Sequence, residues 1–307
     1  MKDVLVVVNP ISQAGRTGRS WAALASRLRA TGLDFDTAMT NQPMHATELA
    51  RAAVREGRPV IVAVGGDGTI NEVANGFFAA GEPIASSSRL ALLPVGTGGD
   101  FRRSFGIPLQ PELAAAAILG GRSRRIDAGR VRSTDPDGGE LIRHFVNIAD
   151  AGLGPEVVDT VNRSPKLLGA ATFTLIGLLS LIRWRNVPLI VNVDGVRREL
   201  TAQQVVVANC QFYGGGMQVA PGAIPDDGLF EVVLLGDIGR LESIRGMSTV
   251  RSGAHLKAGN PNWSVLRGRR VEVSSPKRVR VEMDGELAGL LPAVFEVQPG
   301  AIDLVIP

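Results

Sequence analysis

The feature that most constrains this chain is a run of β-branched and small apolar residues, Val60 to Val64, that ends in Gly65-Gly66-Asp67-Gly68-Thr69-Ile70-Asn71-Glu72. The run reads as a buried strand and the segment Ile70 to Ala80 as a helix, so the glycines fall at a strand-to-helix junction. Three glycines in four positions let backbone N–H groups approach a polyphosphate closely, and the helix N-terminus adds partial positive charge. A carboxylate at Asp67 suits that setting when Mg²⁺ is present, bound directly or through water, because the metal offsets repulsion from the phosphates. A tight turn in which Asp67 only caps the helix is the other reading, and it leaves the glycine density and Asn71 without a reason. The run has neither the Gly-Lys-Ser/Thr of a Walker A loop nor the spacing of a dinucleotide fingerprint.

Around this junction the first third of the chain alternates strand and helix patterns. A strand is expected at Val4 to Val8, helices at Thr17 to Ala30 and Ala46 to Glu56, and a further strand at Leu90 to Val95. That is the grammar of a parallel α/β sheet, whose ligands gather at the carboxyl ends of the strands. From about residue 126 the pattern turns mainly to strands: Ile126 to Val131, Phe145 to Ile148, Leu189 to Val193, Val205 to Ala208, Phe230 to Leu235, Val271 to Val273, Arg278 to Met283, Val294 to Val297 and Ile302 to Val305. Asp194-Gly195, between two alternating runs, predicts a tight hairpin. A chain of 307 residues, 45% hydrophobic, can bury two ordinary cores. The expected organisation is an α/β domain over residues 1–125 and a mainly β domain over 126–307, the last strands returning to the first domain.

Several chemistries are argued against. The single cysteine, Cys210, excludes an intramolecular disulfide and a multi-cysteine metal site, and it points to a reducing, cytoplasmic setting. The opening from Met1 is strand-like and unlike a signal peptide. His45, His144 and His255 lack metal-ligand spacing, and no Gly-x-Ser-x-Gly elbow or protein-kinase catalytic loop is present. A net charge of +3 and a pI near 9.5 permit attraction to an anionic surface, with arginines clustered at Arg102, Arg103, Arg122, Arg124 and Arg125, at Arg183 and Arg185, and from Arg267 to Arg270. The most apolar stretch, Leu167 to Ile182, is shorter than the roughly 20 residues that cross a bilayer. Flanked by Lys166 and Arg183, with Trp184 just beyond, it fits an interfacial segment that touches lipid, or a buried core helix.

Taken as a pattern, Gly65-Gly66-Asp67-Gly68-Thr69 resembles the nucleotide-binding signature of the diacylglycerol kinase catalytic domain, which sphingosine kinases share. Asn9-Pro10 matches that family's opening element, and Thr40 with His45-Ala46 its second-strand threonine region. Leu93 to Phe101 looks like its Pro-x-Gly-Thr-x-Asn-Asp-Phe element, with Gly99 where the family usually has asparagine. Gly152 to Gly154, Asn209 to Met217, Ala220-Pro221, Asp226-Asp227-Gly228 and Asp284-Gly285-Glu286 also match, so the resemblance spans nearly the whole chain.

The resemblance implies a Rossmann-like, NAD-kinase-like α/β domain followed by a mainly β sandwich, with the active site in the cleft between them. Asn9, Pro10, Thr40, Gly65, Gly66, Asp67, Gly68, Thr69, Asn71, Gly96 and Thr97 would bind ATP. Asp227, with the carbonyls of Ile224 and Leu229, would hold a Mg²⁺ ion, although a plain Asp-Gly turn reads the same way. Asp284 and Glu286 are the candidates for general base, since a lipid alcohol must lose its proton as it attacks phosphorus. The family pattern favours Glu286. If the strand ran through Gly285 the two carboxylates would share a face, whereas a turn there would splay them.

The expected activity is transfer of the ATP γ-phosphoryl group to a lipid hydroxyl, diacylglycerol first, by a cytoplasmic protein in peripheral contact with a membrane. The expected partners are the lipid surface and a second copy of the chain, and no nucleic acid. Other acceptors with the same chemistry are a sphingoid base, phosphatidylglycerol, a soluble polyol or NAD, and a nucleotide- or lipid-sensing protein without turnover is a reading of another class.

Overall fold

The computed structural model describes residues 2–95, 99–163, 170–257 and 259–307. The chain divides into two compact units, one of Met1–Ile126 with Gly300–Pro307 and one of Asp127–Pro299. Strands longer than two residues and all α-helices are numbered in chain order.

In the first unit, β1 (Val4–Val8) lies between β2 (Asp36–Met39) and β3 (Val60–Gly65), and β3 is followed by β4 (Arg89–Pro94), all parallel. Every residue of β1 and β3 is buried, as expected of strands covered by helices on both faces. The edge strand β2 alternates half-buried and exposed residues, a weaker pattern. α1 (Arg16–Ala30) and α2 (His45–Arg55) precede β2 and β3, and α3 (Asp67–Asn75) leaves β3 directly. α4 (Asp100–Arg103) and α5 (Pro111–Gly120) follow β4. Leu28, Leu33, Phe35, Val62, Val64, Ala91 and Leu93 form the core, and burying a side chain the size of Leu28 stabilises by about 1.5–3 kcal/mol. Asp303 and Leu304, near the end of the chain, add a parallel strand beside Arg89 and Leu90.

The second unit is a β-sandwich of mainly antiparallel strands. Its strands are β5 (Ser123–Thr134), whose first residues belong to the other unit, β6 (Glu140–Phe145), β7 (Ile148–Gly152), β8 (Val187–Val193), β9 (Val196–Ala208), β10 (Phe230–Gly236), β11 (Trp263–Gly268), β12 (Arg270–Ser274), β13 (Arg280–Met283) and the long β14 (Glu286–Val305), whose last residues belong to the first unit. β9 pairs with β8 through its first half and with β7 and β10 through its second. Asp194-Gly195 makes the predicted hairpin, with φ of 47° and 90°, the doubly left-handed turn that matches strand twist. Phe145 stacks on Phe230 at 5.4 Å, and a Cβ on Gly129 would stand 2.0 Å from the Phe145 ring, so the core leaves no room for a side chain there. The expected strand Phe145 to Ile148 is interrupted: Val146 and Asn147 separate β6 from β7, because their amides bond to a side chain instead of a neighbouring strand.

Three helices belong to this unit, α6 (Leu153–Arg163), α7 (Ala170–Arg183) and α8 (Arg240–Val250). The start of the apolar stretch at Leu167 lies outside the described residues, and the rest forms α7, which exposes Leu179 and Ile182. Trp184, just beyond it, is partly buried and packs against the apolar core. No helix among the described residues is long and apolar enough to cross a membrane.

Candidate active site

The carboxyl ends of β1, β2 and β3 bring Asn9, Thr40 and the segment Gly66 to Thr69 to one edge of the first sheet, where open α/β sheets take their ligands. The Asn9 N–H donates to the Val64 carbonyl at 3.1 Å, and its Nδ2 donates to Thr69 Oγ1 at 3.1 Å, so Asn9 ties the first loop to the glycine-rich one. Pro10 accepts the Gly18 N–H through its carbonyl at 3.1 Å, which docks α1 under the same loop. Thr40 is buried, and its N–H donates to Val8 at 2.9 Å.

The glycine-rich run is the helix start itself. Gly66 is the N-cap, and Asp67 and Gly68 lie in the first turn of α3, earlier than the expected beginning at Ile70. Gly65 is required by packing: a Cβ there would stand 2.3 Å from Thr69 Oγ1. Asp67 Oδ2 accepts the N–H groups of Gly99 and Asp100, each at 3.2 Å, and so links the start of α3 to the start of α4. Gly99 adopts φ 102°, a left-handed backbone that suits glycine, which gives the departure from asparagine at this position a conformational reason. Asn71 is fully buried and bonded to Asn75, whose Nδ2 donates to its Oδ1 at 3.1 Å and its backbone carbonyl at 2.8 Å. These bonds tie Asn71 to the next turn of α3. Gly96 and Thr97 lie outside the described residues.

Asp100, in the Leu93 to Phe101 element, is buried beside Asp67 and pairs with Arg103 at 3.4 Å. Arg102 follows, its pKa lowered by burial and then by the charge of Arg103, while the carboxylates of Asp67 and Asp100 act in the opposite direction. The edge therefore combines amides, two carboxylates and two guanidinium groups, a set that matches a metal-bound polyphosphate.

In the second unit Asp284-Gly285 is a tight turn, with φ of 50° and 85°, between β13 and β14, and Met283 faces Glu286 across it. The turn separates the two carboxylates. Asp284 is buried, and its oxygens accept the N–H groups of Val146 at 2.9 Å and of Asn147 and Ile148 at 3.0 Å. Three amide donors on one buried carboxylate make Asp284 the anchor of this turn. Glu286 is exposed at the end of the turn.

Asp227 has a cation of its own. Its carboxylate is paired with Arg267, and Oδ1 accepts the Leu229 N–H at 3.0 Å. Ile224 is exposed, and Leu229 donates to the aspartate within the turn. The guanidinium and the amide on this one carboxylate make it part of a salt-bridged turn. Asp127, unremarked in the sequence, fastens this turn: its carboxylate accepts the Gly228 N–H at 2.7 Å, and its N–H donates to the Pro225 carbonyl at 2.7 Å.

A second pair of acids lies under the 284–286 turn. Asp150 and Glu282 are buried and directly opposite one another on β7 and β13. Gln204 Nε2 donates to Asp150 Oδ2 at 2.6 Å, and Glu282 Oε2 accepts the Gly285 N–H at 3.0 Å. Burial pushes the Asp150 carboxyl up to about 7, and burial together with the Asp150 charge pushes Glu282 well above the usual carboxylate range. Alternation along a strand leaves such a pair invisible until the partner strand is known.

The family matches place this fold and edge in a phosphotransferase. Residues 3–131 match the diacylglycerol kinase catalytic domain, and residues 147–306 match the YegS C-terminal NAD kinase beta sandwich-like domain. The Diacylglycerol kinase of Bacillus subtilis is 29% identical over 309 residues, covering 100% of this chain and 97% of that protein. The Pseudomonas aeruginosa protein named "Probable lipid kinase YegS-like" is 32% identical over 311 residues, with 100% and 95% covered. A crystal structure of a diacylglycerol kinase from Bacillus anthracis superposes with a TM-score of 0.72 at 21% identity, covering 99% of this chain and 96% of that one, which shows the shared fold. The chain belongs to the bacterial diacylglycerol kinase and YegS-like lipid kinase family.

Proposed function

We propose that this chain transfers the γ-phosphoryl group of ATP to the hydroxyl of diacylglycerol at a membrane surface. The observation that carries the reading is the start of α3, where Gly66 to Thr69 present a helix N-terminus beside Asp67 and Asp100, in a chain about as similar to named diacylglycerol kinases as to YegS-like lipid kinases. The amides of that turn would bind the phosphates, with Arg102 close by to balance charge. Asp67 and Asp100 offer the oxygen donors that a hard cation takes and would hold Mg²⁺, whose contribution when bound is to neutralise charge on the phosphates. Glu286 would accept the proton of the attacking hydroxyl, while Asp284 orients the turn that carries it.

The test is transfer of labelled γ-phosphate from ATP with Mg²⁺ to lipids in mixed micelles, comparing the parent with Glu286→Gln. A labelled diacylglycerol product that the variant makes at least about 100-fold more slowly is expected. Product only from a sphingoid base, phosphatidylglycerol, a polyol or NAD would replace the acceptor, and nucleotide binding without product from any of them would end the kinase assignment.

A further inference from the structure

The Asp150–Glu282 pair is used by none of the steps above, yet keeping two acids buried is unfavourable unless something needs them, since an apolar pair of the same size would stabilise the sheet more. Asp150 is 0% and Glu282 4% exposed, and they are register partners across an antiparallel pair, where like charges repel. Asp150 Oδ1 meets no N–H or O–H donor among the described residues. One proton held between the two carboxyls removes both difficulties, because it cancels a charge and gives Oδ1 a donor. Glu282 then has its other oxygen, Oε2, engaged with the Gly285 amide in the middle of the 284–286 turn.

The surroundings leave no other source of that proton's stability. Gln204 on β9 donates to Asp150, the Asp284 charge is unfavourable to ionisation of Glu282, and Tyr213 beside them is kept neutral by burial and by the Asp150 charge. Gly154, in the first turn of α6, lies so close that a Cβ would stand 2.2 Å from Asp150 Oδ2. Arg280, on the strand of Glu282, is bonded to Glu156 at 2.9 Å and to Asp159 at 3.3 Å, so its charge is spent on α6.

We propose that Glu282 is a positioning residue for Glu286: sharing one proton with Asp150, its carboxyl grips the Gly285 amide and fixes where the Glu286 carboxylate stands. The proposal rests on Glu286 acting as the base. Asp284 pins the same turn through the 146–148 amides, so the turn is held from both sides. Loss of the shared proton at alkaline pH places two charges face to face beneath it and loosens the grip.

The test compares the parent, Glu282→Ala and Glu282→Gln, reading phosphoryl transfer to diacylglycerol across neutral and alkaline pH and, independently of turnover, hydrogen exchange in the segment 283–287. Glu282→Ala is expected to lower kcat by about 10- to 100-fold with KM for ATP unchanged, and to speed exchange in that segment. Glu282→Gln keeps an acceptor for Gly285 and a donor for Asp150, so it recovers most of the lost kcat and moves the alkaline fall in activity to higher pH. Parent-like exchange in a folded Glu282→Ala overturns the proposal, and so does a parent-like kcat. If Glu282→Ala does not fold, an alkaline limb in Glu282→Gln identical to the parent's overturns it. If the parent phosphorylates no lipid, faster exchange in Glu282→Ala still upholds the positioning of the turn, and the kinase reading fails alone.

Discussion

Gly65 lies directly beneath Thr69, so close that a Cβ on the glycine would stand 2.3 Å from the threonine Oγ1. The contact closes the strand-to-helix junction and lets Asn9 Nδ2 reach the same hydroxyl. Gly65→Ala is therefore expected to destabilise by about 1–3 kcal/mol through overpacking and to weaken binding of an ATP analogue at the same time. Thermal unfolding and calorimetric titration check the two effects.

Asp67→Ala removes the acceptor that joins the amides of Gly99 and Asp100 to the start of α3. With the fold retained, kcat/KM for MgATP should fall by about 10²–10³, the range for losing one preorganised electrostatic partner. Steady-state kinetics at varied Mg²⁺ measure it, and parent-like turnover would remove Asp67 from the site.

Asp284→Ala leaves the buried amides of Val146, Asn147 and Ile148 without their acceptor. A loss of about 3–5 kcal/mol in urea unfolding is expected, far more than for Glu286→Gln at its exposed position. Equal losses for the two variants would contradict the division between anchor and base.

Asp227→Asn breaks a partly exposed ion pair with Arg267 and should change stability by no more than about 1 kcal/mol. Because the carboxylate serves a turn, the shift in Tm on adding Mg²⁺ should be the same in parent and variant. A Mg²⁺-dependent Tm that disappears in Asp227→Asn would restore a cation to that turn.

The buried acids also set a pH dependence of stability. Asp150 is pushed up to about 7 and Glu282 is raised in the same direction, so the folded state keeps protons that the unfolded chain releases at about pH 4. Their contribution is present in full below about pH 4 and is lost as pH rises through about 7. Asp150→Asn should flatten the decline in Tm over that interval, as scanning calorimetry at a series of pH values would show.

By itself the sequence determined the α/β character of the first unit, the mainly β character of the second, the hairpin at Asp194-Gly195, the glycine-rich junction and the family. Those rest on local signals: β-branched runs, glycine at left-handed positions, and motifs of consecutive residues. Tertiary structure alone decided what each acid does, because a carboxylate's role depends on its partners. Asp284 became an anchor once the 146–148 amides reached it, and Asp227 became a salt-bridged turn once Arg267, forty positions later, was brought beside it. Asp150 and Glu282 met only when β7 and β13 paired. Spacing along a chain carries helix and strand periods, whereas hydrogen-bond partners from distant strands are fixed by register, and register is a property of the folded sheet.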